Sequence, residues 1–215
     1  MEFAVDDVVL AITSLTSQRP KDIIETNNYL TAFRLDHSVW PISLTILQNT
    51  NVPIAVCLFV LETLKMKLNF DFESIKTSAH FVSNLKSTLY ELAKRFVSSK
   101  STLKLSALCI SSLVIQSQHY NFIEEIIHIF SDSYENVATS FKILQNIINI
   151  FMEKEIIPNS KETIIKKLEK EGYKVLAFLN IWATNINNNK ILEGTKVISK
   201  RKFTLRVILY IIIVT

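Results

Sequence analysis

Glu124 and His128 stand four residues apart in an apolar stretch, which places a carboxylate and an imidazole on one face of a helix. Such a pair could supply two ligands to a metal ion, but no third candidate is evident, so the plainer reading is a surface pair. The other histidines are scattered: His37 and His119 fall at turns, and His80 in a helix rich in Ser, Thr and Lys. Cys57 and Cys109 are far apart, each in an apolar helical stretch. Two such cysteines make neither a disulfide framework nor paired metal-ligand spacing, and read as buried, reduced thiols of an intracellular protein. No Gly-rich phosphate loop, zinc spacing or nucleophile elbow is present. Ser and Thr are spread along the chain without indicating a triad. The expectation is therefore a binding protein, not an enzyme, with no cofactor and no metal.

The elements that position these residues follow from composition. In 215 residues there are only two Gly and four Pro, with 48% apolar and 20% charged residues. Hairpin turns and phosphate loops lean on glycine, so a strand-rich or nucleotide-binding fold is disfavoured and long helices with short turns are favoured. The formal charge of +4 is mildly basic. Nucleic-acid binding would need basic residues gathered on one face. Here most lysines stand beside glutamates, as at Lys161–Lys174, where Glu162/Lys166 and Lys167/Glu171 are helical i,i+4 pairs. Direct nucleic-acid binding is not expected. The first 20 residues carry three acids before any base, unlike a secretory signal.

Helical stretches recur along the chain. Val5–Leu15 is the first, and Pro20 opens the second, running to Arg34, as a first-turn proline can. Trp40-Pro41 starts a third over Ile42–Gln48, and Pro53 a fourth over Ile54–Leu68, apolar around most of its girth. Asp71 is a candidate N-cap for a long helix from Phe72 to Val97. Ser101 precedes Leu103–Ser117, and Asn121 with Glu124 has the capping-box pattern before Ile126, Ile127, Ile129 and Phe130. Tyr134–Met152, Ser160–Glu171 (ending at Gly172) and Tyr173–Ile186 follow, then an Asn-rich turn at Asn185–Asn189.

The more apolar second members of successive pairs centre near Leu61, Cys109, Leu144 and Ile181, roughly 35–48 residues apart. Helical pairs repeating at about 40–47 residues mark HEAT and armadillo arrays. A repeat inside a stack is covered on both sides, so its inner helix is apolar around much of its circumference. The expected fold is all-α, an α-α superhelix of about five helical pairs over residues 1–195. Residues 196–215 are an atypical tail: Lys200-Arg201-Lys202, then the apolar run Phe203–Thr215 interrupted by Arg206. A membrane-spanning helix needs about 20 apolar residues, so this run is too short. It reads as a helix lacking its packing partner, from truncation or a mispredicted terminus, with a surface anchor as the alternative.

Several segments resemble the N-terminal repeats of the importin-β (karyopherin) superfamily, nearest its transportin-SR branch. Asn28-Tyr29-Leu30 with Phe33 is similar to the aromatic-Leu near the end of the family's first repeat. Ser38-Val39-Trp40-Pro41-Ile42-Ser43 with Ile46-Leu47-Gln48 resembles its Ala-Trp-x-Ile-Ser followed by Leu-Leu-Gln. Thr63-Leu64-Lys65-Met66-Lys67-Leu68 resembles Thr-Met-Lys-Met-Lys-Ile at the end of the second inner helix. Leu105–Tyr120 is similar to the third inner helix, and weaker similarity continues through Phe141–Ile156 into Ile164, Leu168 and Val175. The likeness runs in order over roughly residues 5–185. Departures are Ser112 where an acid is frequent, Pro41 for a polar residue, and Glu153-Lys154 in place of a Leu-Pro ending.

The resemblance implies a nuclear transport receptor shuttling between nucleus and cytoplasm. It implies binding of the GTPase Ran in its GTP form by inner helices, carriage of cargo proteins such as Ser/Arg-rich splicing factors, and contact with Phe-Gly nucleoporins. On the fourth helix Glu62, Lys65 and Asn69 form a polar stripe beside Met66, and Ser112 and Gln116 share a face of the next inner helix. These six are the candidate Ran-facing residues. Phe59, Leu64, Leu68, Leu108, Ile110 and Leu113 read as inter-repeat core, as do Trp40 and Trp182. The alternative is a HEAT-type scaffold or adaptor with no GTPase partner.

Overall fold

The computed structural model describes residues 2–15, 20–117 and 122–131, together with 136, 139–140, 142–144 and 146–147. Among these the regular elements are all helical, with no strand: α1 (Val5–Ser14), α2 (Pro20–Leu35), α3 (Val39–Gln48), α4 (Ile54–Phe70), α5 (Ala79–Arg95), α6 (Lys100–Gln116) and α7 (Phe122–Ile129). The described positions within the predicted Tyr134–Met152 helix are helical too. The predicted helices Ser160–Glu171 and Tyr173–Ile186, the Asn-rich turn, Trp182 and the tail 196–215 lie outside the described residues.

Local chemistry sets several boundaries. Asp6 and Asp7 occupy the first turn of α1, where carboxylates complement the unpaired amides. Pro53 sits just ahead of α4, its carbonyl accepting from the amides of Val56 and Cys57 at 3.0 and 3.1 Å. Pro41 falls in the first turn of α3, where its missing N–H costs nothing.

Consecutive helices pack as pairs, α1 on α2, α3 on α4 and α5 on α6. The pairs then stack in order: α3 meets α5, and α4 meets α6 over the most extensive contact of all. The first pair joins differently, with α1 touching both α3 and α4. Burial follows this pattern. Val60, Leu61, Leu64 and Leu68 of α4 and Ala107, Cys109, Ile110 and Leu113 of α6 are fully buried between the pairs. Of the expected inter-repeat core, Leu64, Leu68, Ile110 and Leu113 are buried to completion. Phe59 and Leu108 are half-buried instead. Phe59 takes the Arg34 guanidinium over its ring at 4.4 Å, a contact that needs one open side. Among the described residues no helix is long and apolar enough to cross a membrane.

The expected continuous helix from Phe72 to Val97 is not formed. Asp71 ends α4 instead of capping a new helix, and its amide donates to the Lys67 carbonyl at 2.7 Å. A single 3-10 turn at Phe72–Ser74 follows, and α5 begins only at Ala79. The break is tertiary in origin. Phe72 and Ile75 turn inward to bury their side chains, and the buried Trp40 indole donates to the Ser74 hydroxyl at 3.0 Å, tying the linker to α3. Trp40 also meets Phe81 of α5 edge-on at 6.4 Å. Further along, α7 is fastened to α5 by the Lys86–Glu125 ion pair at 2.7 Å and by Tyr90 against Phe130 at 5.8 Å.

A candidate docking groove on α4 and α6

Helix α4 presents two unlike faces. Leu61, Leu64 and Leu68 point into the core, while Glu62, Lys65, Met66, Asn69 and Phe70 recur at helical spacing on the outside. With Leu105 of α6 these five line an open groove of about 330 Å³. Glu62, Asn69 and Phe70 are exposed, and Lys65, Met66 and Leu105 are half-buried. Among the described residues neither Glu62 nor Lys65 is held in an ion pair.

The floor of the groove is fully buried at Leu61 and Cys109. The Cys109 thiol of α6 donates to the Leu61 carbonyl of α4 at 3.2 Å, fixing the two helices in register. Burial pushes that thiol up to about 12, against the opposing pull of the Lys65 charge. Burial likewise raises Cys57, with Arg95 opposing. Both sulfurs are therefore protonated packing groups at neutral pH, not nucleophiles.

Lys67 secures the end of α4. It is 7% exposed, yet its ammonium donates to the Asp71 carboxylate at 2.8 Å and to the Leu35 carbonyl at 3.4 Å. One buried cation thus satisfies a terminal carbonyl of α2 and links the first pair to the second. The Lys67 hydrogen bond holds the Asp71 carboxyl below its ordinary value of 3.8, burial notwithstanding.

Four of the six sequence-predicted residues, Glu62, Lys65, Met66 and Asn69, come together in this groove. The other two do not join them. Ser112 is only 4% exposed, because α6 is enclosed by α4, by α5 and by the segment whose Ile143 carbonyl accepts from Ser111 at 3.2 Å. Ser112 is thus a packing residue, not an open contact, and Gln116 is half-buried at the end of α6, away from the groove lining. Sequence reasoning passed over Phe70 and Leu105. Phe70 was legible as the next position, four beyond Met66, on the same face.

A second groove, of about 350 Å³, lies between α3 and α5 and includes Gln48, Thr88, Glu91 and Arg95. Three of its polar side chains are engaged: Gln48 donates to Asn84 and Thr88 at 3.1 and 3.3 Å, and Arg95 to the Leu47 carbonyl at 3.2 Å. Among the described residues no three His, Cys, Asp or Glu side chains are grouped to hold a metal, and Glu124 and His128 both lie on the short α7. No protein-family model and no curated protein matches this chain.

Proposed function

We propose that the chain forms the N-terminal repeats of a karyopherin-type nuclear transport receptor, a binding protein that takes Ran in its GTP form against the α4–α6 groove. The observation that carries this reading is the groove itself. Four residues singled out by resemblance to the Ran-facing inner helices of that family line one open depression, and their polar groups are not consumed by the fold. The ordered stacking of α3 on α5 and α4 on α6 supports a solenoid that continues as an α-α superhelix, with the more enclosed helices on its inner side. The in-order likeness over roughly residues 5–185 supports the same reading.

On this reading function is linkage. Ran and cargo compete for one flexible superhelix, and each lowers the other's affinity by the same factor. Cargo proteins, Ser/Arg-rich splicing factors among them, and Phe-Gly nucleoporins are the further partners, and the receptor shuttles between nucleus and cytoplasm. The test is calorimetric titration of the full chain with Ran carrying a non-hydrolysable GTP analogue, with Ran–GDP as control. The reading predicts a preference for the GTP form of tenfold or more, about 1.4 kcal/mol. Equal binding of both forms, or none by a helical, folded protein, would leave a HEAT-type scaffold without a GTPase partner.

A further inference from the structure

Phe70 is 86% exposed at the end of α4, the most exposed of the large apolar side chains described. It is not an isolated surface aromatic. It shares the groove with Met66 and with Leu105 of α6, so three apolar side chains converge on one open depression. Exposed apolar groups gathered in a cleft and rimmed by polar residues mark interaction sites, whereas single ones do not. Aromatic anchors seated in such clefts carry a disproportionate share of binding energy.

The charge around the groove has a sign. Its two helices carry Lys65, Lys100 and Lys104 against Glu62 alone, leaving aside Lys67, which Asp71 neutralises. Lys100 and Lys104 are exposed, and Lys104 directly precedes the groove residue Leu105. Helix α6 contains no acidic residue along its whole length. A partner surface that is itself basic would meet like charge here, whereas an acidic one is attracted.

From these two observations we infer that the groove receives an acidic partner segment carrying an apolar side chain, which packs on Phe70, Met66 and Leu105 while its carboxylates face Lys65 and Lys104. The inference rests on the reading of this face as a docking surface. It adds the chemistry of what docks and a residue, Phe70, that the family likeness did not single out. Its claim on Ran is specific: the segment of Ran–GTP that enters the groove is acidic with an apolar anchor.

The test uses the full chain and two fluorescent twelve-residue peptide probes, one Asp/Glu-rich with a central Phe, the other with every acid replaced by Lys. Anisotropy titrations are run beside the Ran–GTP analogue, for wild type, Phe70→Ala and the double variant Lys65→Glu/Lys104→Glu. The expected result is that wild type prefers the acidic probe at least tenfold, and that preference weakens with added salt. Phe70→Ala and the double charge variant should each weaken that probe at least tenfold. Phe70 is so exposed that its truncation leaves folding intact, checked by far-UV circular dichroism. If Ran–GTP binds wild type while both variants bind Ran and the acidic probe as wild type does, the inference is overturned and the proposed function stands. If Ran does not bind but the acidic probe does, in a Phe70-dependent way, the proposed function fails and the inference stands. Equal binding of the two probes overturns the inference whatever Ran does.

Discussion

Helices α5 and α6 are neighbours of equal length, 17 residues each, yet α5 buries six of its side chains and α6 eleven. The difference is position, not helix propensity. Helix α5 packs on α3 and α6 and is tied to α7 through Lys86 and Tyr90, yet it keeps Asn84, Ser87, Glu91 and Arg95 for solvent and for the adjoining groove. Helix α6 lies between α4, α5 and the segment carrying Ile143. A helix enclosed on several sides cannot confine its polar residues to one solvated stripe, and α6 resolves this with small hydroxyls. Ser106 and Ser111 return their protons to the carbonyls of Thr102 and Ala107 at 2.8 and 2.7 Å, so burial leaves neither donor unsatisfied. What remains open on α6 is a narrow strip that includes Lys104, Leu105 and Leu108, and this strip borders the groove.

The largest effects are expected in the core shared by α4 and α6. Leu113→Ala on α6 or Leu64→Ala on α4 removes a fully buried side chain and is expected to cost about 2–5 kcal/mol in urea unfolding. Glu91→Ala on the open side of α5 should stay within about 0.5 kcal/mol. Similar costs for Leu113→Ala and Glu91→Ala would mean that Leu113 of α6 is not enclosed.

Lys67→Met comes next. It keeps the aliphatic stem but strips the Asp71 carboxylate and the Leu35 carbonyl of their shared donor, at a cost of about 1–3 kcal/mol. It also changes the acid limb of stability. The Asp71 carboxyl is held below 3.8 in the folded chain, so its contribution is complete above that value and lost as pH falls through the folded one. Wild type should therefore lose stability at low pH more steeply than Lys67→Met. Parallel acid limbs would show that the ion pair contributes nothing.

Smaller still is Ser74→Ala, expected to cost about 0.5–1.5 kcal/mol by removing the acceptor of the Trp40 indole, and to shift the tryptophan emission. An unchanged spectrum would argue that the linker is not tied to α3. Smallest is Phe70→Ala, within about 0.5 kcal/mol of wild type in stability because its ring is open to solvent. A large loss would place Phe70 in the core and remove it from the docking surface.

The helical pairs were legible because their signals are local. The predicted spans Val5–Leu15, Pro20–Arg34 and Ile54–Leu68 match α1, α2 and α4 to within two residues at each end, their starts marked by proline or an acidic first turn. The break after Asp71 was not legible. No proline or glycine marks it, and what bends the chain is the inward turn of Phe72 and the reach of Trp40 to Ser74, 34 residues away in sequence. Of the site, the stripe on α4 could be read from spacing alone. The burial of Ser112 could not, because a serine in an apolar helix reads the same whether it faces solvent or returns its hydroxyl to a carbonyl. Nor was the place of Lys67 legible: in Lys65-Met66-Lys67 the two lysines look alike, yet one borders the groove and the other is buried against Asp71.

The most direct test of the α4–α6 face as the docking surface is hydrogen–deuterium exchange on the full chain, with and without Ran carrying a GTP analogue. Added protection is expected over 62–70 of α4 and 101–108 of α6, with α3 and α5 unchanged, and none of it with Ran–GDP. Protection centred on α3 and α5, or identical traces with both nucleotide forms, would contradict it.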